Sequence, residues 1–480
     1  MKKTANNFFR RFFSLLLIIM LILSSCGEKT KKKNYDIEGN WLGELSIQGM
    51  PLKIAFNFKA EGDTYVVTLD SPDQGAFDIA TSSFSLSNNK IEVEADIVDG
   101  KFKGTIISNS YIKGTWTQNG SSFPLKLKKQ STPYKLVRPQ EPIPPYPYEE
   151  ELVTFHNDSF NIDLSGTLTV PLGDRVYKTA IMITGSGAEN RDEEIYGHKP
   201  FKVIAYYLTR NGIAVLRFDD RGTGESQGDY NSATSADLAT DVEAALNFLV
   251  EHPKIDTEYI GLIGHSEGGL IAPIVASRNP NISFIVSLAG PAVTGKEISL
   301  RQSHDLGVLL GMKEKKVQKS SAINEMIYDE IIKEPDPYKA SENIENMLRS
   351  YLKKRLILKK LVDIQLKSMM SQLTPETLIW YRYFLMTDPS DFWRQTKCPV
   401  LAFNGEKDIQ VAAEVNLPAL EKALKESGNE NYEIHLMPNL NHLFQHCETG
   451  NVSEYATIEE TFSEEVLEIM VEWINSLGDE

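Results

Sequence analysis

Three cysteines in 480 residues are too few for a disulfide framework. No H-x-x-H or H-E-x-x-H pair is present either, so the sequence offers no structural or catalytic zinc set, and no cofactor is expected. Basic residues are in deficit. Lys and Arg number 50 against 66 Asp and Glu, a formal net charge of −16, which argues against nucleic acid as a partner. No apolar run reaches the roughly 20 residues that a membrane-spanning helix needs. The longest, Leu15 to Leu23, is short and follows Lys2, Lys3, Arg10 and Arg11 with no acid among them. There is no internal repeat.

What is present reads as several segments. Residues 1–25 have the basic start and short apolar stretch of a secretion signal. The sequence Leu23-Ser24-Ser25-Cys26-Gly27 resembles the bacterial lipoprotein cleavage box. That resemblance implies a lipidated Cys26 at the mature N-terminus and an exported, membrane-anchored lipoprotein of the bacterial cell envelope. Residues 26–35 are a Lys-rich tether with no apolar period. From 36 to 129 the pattern is short alternating strands, as in Leu52-Ile54-Phe56-Phe58 and Phe123-Leu125-Leu127. Turn signals at Asn88-Asn89, Asp99-Gly100 and Asn119-Gly120 separate them. This predicts a small antiparallel β-domain with Trp41 and Trp116 in its core. Residues 130–149 are proline-dense and predict a stiff extended linker.

From 150 to 480 strand and helix patterns alternate, which predicts a mostly parallel sheet. The most telling segment is Tyr259 to Gly269, Y-I-G-L-I-G-H-S-E-G-G. A buried strand ends in a sharp turn with Ser266 at its apex, and a helix begins at once. A nucleophilic serine needs this order: small flanks at Gly264 and Gly268 let strand and helix pass, and the helix start supplies N–H groups for an oxyanion. A serine of this kind requires an acid and then a histidine downstream. Asp408 and His442 each follow a buried-strand pattern, at sheet ends that form a ligand crevice in an open parallel sheet. Glu406 is the rival acid, His446 the rival base, and His435 reads as a packed or edge residue within its strand. Between about 294 and 389 the alternation gives way to long amphipathic helical patterns such as Tyr351 to Val362, where Trp380, Tyr381 and Phe384 are candidates for an acyl pocket or for core. Cys398 and Cys447 are expected to stay unbridged.

From about Val153 onward the chain resembles an α/β-hydrolase. It is similar to bacterial secreted esterases of the serine-aminopeptidase-like and dienelactone-hydrolase-like kinds. The matching segments are Gly185-Ser-Gly-Ala-Glu-Asn-Arg-Asp, Phe218-Asp-Asp-Arg-Gly-Thr-Gly-Glu-Ser, Gly264-His-Ser-Glu-Gly-Gly, Asn404-Gly-Glu-Lys-Asp and Asn441-His-Leu-Phe. Ala188 stands where proline is usual, and Thr184 where many relatives carry histidine. The resemblance implies an α/β-hydrolase fold with a helical cap at about 294–389. It implies a Ser266–Asp408–His442 triad and an acyl-enzyme. It also implies an oxyanion hole from the backbone N–H of Glu267 and that of Ser186, with Gly187 as alternate. Asp219 to Ser226 resembles a structural loop, whereas His198 and Arg191 lie near enough in sequence to be substrate contacts. The expected substrate is a small acyl ester. One alternative is an aminopeptidase, with Glu189, Asp192, Glu193 or Glu194 holding a free amine. A second is a non-catalytic lipid-anchored binding protein. Oligomeric state is left open.

Overall fold

The structure is a computed structural model that describes residues 35–47, 50–62, 64–74, 76–118, 120–132, 137–354 and 359–478. The secretion signal, Cys26 and the tether up to residue 34 therefore lie outside the described residues, as do positions 355–358 of the 351–362 run. The chain divides into two compact units, Met1–Lys135 and Leu136–Glu480.

Among the described residues of the first unit the period-two pattern forms nine strands. They are β1 (Gly39–Ile47), β2 (Met50–Glu61), β3 (Thr64–Ser71), β4 (Ala76–Ala80), β5 (Ser83–Ser87), β6 (Lys90–Ala95), β7 (Gly100–Ser108), β8 (Tyr111–Gln118) and β9 (Ser121–Gln130). All pair antiparallel, in the order β4-β3-β2-β1-β9-β8-β7-β6-β5. Consecutive strands are thus paired except β4 and β5, which are the two ends of the order, and β1 also pairs with β9. One face carries the core. Trp41 and Trp116 are buried there, and the Phe56 ring lies 5.0 Å from Phe102 and 6.1 Å from Trp116. Both tryptophans are packing residues.

In the second unit the strands are β10 (Tyr148–Asn157), β11 (Ile162–Pro171), β12 (Tyr177–Ile183), β13 (Ala214–Phe218), β14 (Ile255–His265), β15 (Phe284–Leu288), β16 (Val400–Gly405) and β17 (Tyr432–Met437). The sheet order is β10-β11-β13-β12-β14-β15-β16-β17. Only β11 runs against the rest. The central strands are apolar on both faces because helices cover both. Helices α1 (Pro200–Arg210) and α11 (Glu464–Ser476) pack on one side; α2 (Ser235–Val250), α3 (Glu267–Arg278), α9 (Ser390–Trp393) and α10 (Ala413–Ser427) pack on the other.

Between β15 and β16 lie α4 (Gly295–Leu309), α5 (Glu314–Lys333), α6 (Pro337–Lys353), α7 (Lys359–Met370) and α8 (Pro375–Met386). Thr294 and Glu297 form a reciprocal capping box at the start of α4. The Leu and Ile stripes of α5 to α8 close on one another as a separate core around Ile331, Ile344, Leu348 and Leu366.

The proline-dense segment differs from a free spacer. Arg138 donates to the carbonyls of Tyr196, Ala456 and Ile458, and Gln140 exchanges hydrogen bonds with Thr461 and Phe462. A local proline pattern cannot encode acceptors more than 300 positions away. Cys398 and Cys447 are free thiols.

Candidate active site

Ser266 sits between β14 and α3 with φ 50° and ψ −115°. A non-glycine residue held there stores about 1–3 kcal/mol of strain. The surroundings enforce it. A Cβ on Gly264 would meet the Gly268 carbonyl oxygen at 2.1 Å, and one on Gly268 would meet that of Ile183 at 2.1 Å. The Ser266 N–H donates to the Leu288 carbonyl at 2.9 Å. These contacts leave the side chain at the carboxyl end of the sheet, on the floor of a cavity of about 690 Å³.

His442 follows β17 and Asp408 follows β16. His442 Nδ1 lies 2.7 Å from Asp408 Oδ2, and both side chains are buried. Asp408 is itself held by four donors. Oδ1 accepts from the N–H groups of Gln410 (2.8 Å) and Val411 (2.9 Å), while Oδ2 also accepts from Asn404 Nδ2 at 3.1 Å. The His442 carbonyl lies 3.0 Å from Nε2 of His265, the residue before Ser266. The structure thus pairs His442 with Asp408 and sets His442 against His265, the residue before Ser266. No hydrogen bond among the described residues joins Ser266 to His442.

The rivals lie elsewhere. His446 is exposed and pairs with Glu460 at 2.9 Å. Glu406 accepts from the Asn439 N–H, and His435 stacks on Phe403 with centroids 5.2 Å apart. His198 is buried between Thr461 Oγ1 and the Tyr455 carbonyl, and burial pushes it down to about 4. Arg191 grips Asp219 through two nitrogens, at 3.0 and 2.6 Å. Neither His198 nor Arg191 lines the cavity. The Asp219–Ser226 loop is structural: Arg221 pairs with buried Asp241, and Ser226 Oγ donates to the Asp219 carbonyl.

Ser186, Gly187 and Glu267, the expected oxyanion donors, line the same cavity as Ser266. The Glu267 N–H opens α3, where the first amides have no helical acceptor. Of the two donors on the β12 loop, the Gly187 N–H is taken by Tyr230 Oη at 2.8 Å. The Ser186 N–H has no acceptor among the described residues. Thr184 donates to Asp220 Oδ1 at 2.8 Å.

Sequence reasoning treated two further groups only as loop or backbone. The Glu267 side chain is fully buried under the cavity. Its Oε1 accepts from Ser235 Oγ at 2.5 Å and from Trp380 Nε1, on α8, at 2.7 Å. Burial raises its pKa, and the two donors only partly offset this. His265 Nδ1 lies 2.8 Å from Glu193 Oε1, which also accepts from the Gly185 N–H at 2.8 Å. Burial opposes a charge on His265, but the Glu193 carboxylate and the His442 carbonyl push it up to about 9. The other loop acids are spent. Asp192 pairs with Arg217, and Glu194 faces Lys199 at 3.9 Å. Burial and the nearby Glu193 charge push Glu189 up to about 8.

Trp380 lies parallel to Phe384 (5.1 Å, 7°) and lines the cavity wall. Among the described residues, Glu267 is the only Asp, Glu, Lys, Arg or His that lines it. No cluster of three or more His, Cys, Asp or Glu among them is placed to hold a metal ion, and none of their helices is long and apolar enough to cross a membrane.

The chain is similar to several known proteins. An esterase of Thermotoga maritima, EstD, is 26% identical over 325 residues, 66% of this chain and 64% of that protein. The chain thus spans just under two thirds of this relative's length. The polyketide transferase af380 of Aspergillus fumigatus is 30% identical over 86 residues, 18% of this chain and 30% of that protein. A solved esterase of Pyrococcus furiosus is 18% identical, with 71% of this chain and 98% of that chain covered and a TM-score of 0.42. Residues 199–448, more than half of the chain, match the family described as serine aminopeptidase, S33. The chain belongs to that family of α/β-hydrolases.

Proposed function

We propose that the chain is a serine hydrolase of carboxylic esters that works through an acyl-enzyme. The observation that carries this is the buried 2.7 Å His442–Asp408 pair set behind the strained turn at Ser266. Asp408 holds the imidazole with its proton on Nδ1, so that Nε2 is the basic nitrogen. His442 Nε2 takes the hydroxyl proton as Ser266 Oγ forms a bond to the acyl carbon. The carbonyl π pair moves onto oxygen, where the Glu267 and Ser186 N–H groups hold it. Collapse breaks the ester C–O bond, and the departing alkoxide takes the proton from Nε2. Water then repeats the sequence, releasing the acid and restoring Ser266. The EstD relative's name supports an ester substrate.

The aminopeptidase alternative needs a carboxylate free to hold an ammonium group. Asp192, Glu193 and Glu194 face cations already, and Glu189 is raised towards its neutral form. Esters are therefore the expected substrates. Short p-nitrophenyl acyl esters should exceed any aminoacyl-p-nitroanilide in kcat/KM by about tenfold or more, and Ser266→Ala should lose about 10⁶ in kcat. An anilide that matched the esters, with its activity removed by substituting Glu189 or Asp192, would give the site to a peptidase. By the resemblance of residues 23–27 to a lipoprotein box, we also propose attachment to the cell envelope through acyl chains on Cys26.

A further inference from the structure

We propose that Glu193 and His265 are a positioning pair that locks the oxyanion loop and the base loop to each other, with His265 acting as a buried cation. This rests on the ester-hydrolase reading of the same site. The geometry is a chain of three hydrogen bonds. The Gly185 N–H donates to Glu193 Oε1, His265 Nδ1 to the same oxygen, and His265 Nε2 to the His442 carbonyl. Gly185 directly precedes Ser186, the proposed oxyanion donor. His442 is the base, and His265 directly precedes the nucleophile. One buried bridge therefore ties together the three backbone segments whose relative placement sets the reaction.

The protons follow from chemistry. A carbonyl oxygen only accepts, so His265 Nε2 carries a hydrogen. The proton between Nδ1 and Glu193 rests on the imidazole, the more basic partner. Both ring nitrogens then donate, which only the imidazolium can do. The ionisable groups facing His265 are Glu193 and Glu189 from the loop after β12, Asp408 from the loop after β16, and His442, whose ring centroid is 4.8 Å away. Glu189 is raised towards its neutral form, so the charges that act on the ring are the Glu193 and Asp408 carboxylates, which favour the cation, in keeping with the rise to about 9.

The folded pKa lies above the ordinary value of 6.5, so the bridge is complete at neutral pH and is lost as pH rises through about 9. Loss removes one of the two ring protons, and with it either the Glu193 or the His442 contact. Glu193→Gln separates charge from shape. Its amide oxygen still accepts from Gly185 and Nδ1, but the anion is gone and burial is unopposed.

The test is kcat and KM of the full chain on p-nitrophenyl butyrate from neutral to strongly alkaline pH. The wild type should show an alkaline limb in kcat near pH 9. Glu193→Gln should move that limb acidward by about one unit or more. It should also lower kcat by about 10- to 100-fold at little cost in KM, the size of a small misplacement of reacting groups. A wild-type limb in Glu193→Gln, or a lowered Tm with unchanged kcat per folded molecule, would overturn the proposal and leave the pair a packing feature. If the variant does not fold, carbon-13 histidine NMR of the wild type decides, with the signal assigned by its loss in His265→Gln. Titration near 9 supports the cation, and titration near or below the ordinary value overturns it. Ser266→Ala keeps the two readings apart. Retained turnover there would overturn the site itself, whereas a dead Ser266→Ala with an unmoved Glu193→Gln limb would overturn only the pair.

Discussion

Asp408→Asn is the sharpest probe of the site, because the structure dictates how the new amide must lie. In the native chain both carboxylate oxygens accept, Oδ1 from the Gln410 and Val411 N–H groups and Oδ2 from His442 and Asn404. An amide keeps only one acceptor. Two backbone donors at 2.8 and 2.9 Å cannot turn away, so the amide oxygen is fixed on the Oδ1 side. Its NH₂ group is then forced against His442 Nδ1. The imidazole must accept there, so its proton moves to Nε2, and the nitrogen that should receive the serine proton is already occupied. The expected loss is about 10⁴ in kcat, which at about 1.36 kcal/mol per decade is about 5.4 kcal/mol of transition-state stabilisation. A smaller stability cost accompanies it. The NH₂ also confronts Asn404 Nδ2, whose other contact is the Val411 carbonyl, at about 1–3 kcal/mol for the unsatisfied donor.

The assay is steady-state hydrolysis of p-nitrophenyl acetate, with urea unfolding to separate the two effects. Glu406→Gln and His446→Ala serve as controls, because both side chains are partnered away from the site. Asp408→Asn within about tenfold of wild type would refute the tautomer argument. So would Glu406→Gln ranking below it.

Two other outcomes follow. Glu267→Leu strands the Trp380 indole and Ser235 hydroxyl, which should cost about 2–4 kcal/mol in urea unfolding and raise KM more than it lowers kcat, since the Glu267 N–H is unchanged; equal stability in Glu267→Leu and Glu267→Gln would refute this, because the amide still accepts both donors. Full-length protein made in bacteria should partition into membranes and be released by Cys26→Ser, since the Leu15–Leu23 run is too short to span; intact mass showing an unacylated N-terminus would sink that reading.

The turns that carry Ser266, Asp408 and His442 were legible because each is encoded locally, although the choice of Asp408 over Glu406 came from resemblance. A buried-strand pattern ends, a turn follows, and the candidate residue sits on it. The glycines at 264 and 268 mark the close approach that the turn requires. The pairs that brace these residues carry no such mark. Glu193 and His265 are 72 positions apart, Glu267 and Trp380 113 apart. Neither pair follows a helix or strand period, and each is fixed only when the sheet order places β12 beside β14 and the cap above α3. The acids after Gly187 look like solvated loop residues in one dimension. Folding buries Glu193, and Asp192 finds Arg217 on β13.

That same placement bears on substrate. The family description names a peptidase and the Thermotoga relative an esterase, so neither name decides for this chain. Both reactions use the same serine, base and oxyanion donors, and they part at what the cavity must recognise. A peptide N-terminus brings a positive charge that must find a fixed anion as it leaves water, because an unpaired buried charge is strongly disfavoured. Among the described residues, the Ser266 cavity meets such a charge with aromatic rings, side-chain amides and a single buried carboxyl whose pKa is raised. Its Oε1 is shared by Ser235 and Trp380, while its Oε2 is buried with no hydrogen-bond partner among the described residues. An uncharged acyl ester asks nothing of that carboxyl. It needs apolar area for the acyl group, and the stacked Trp380 and Phe384 rings line the cavity. The loop acids are committed to holding the machinery together, and this commitment favours an uncharged substrate.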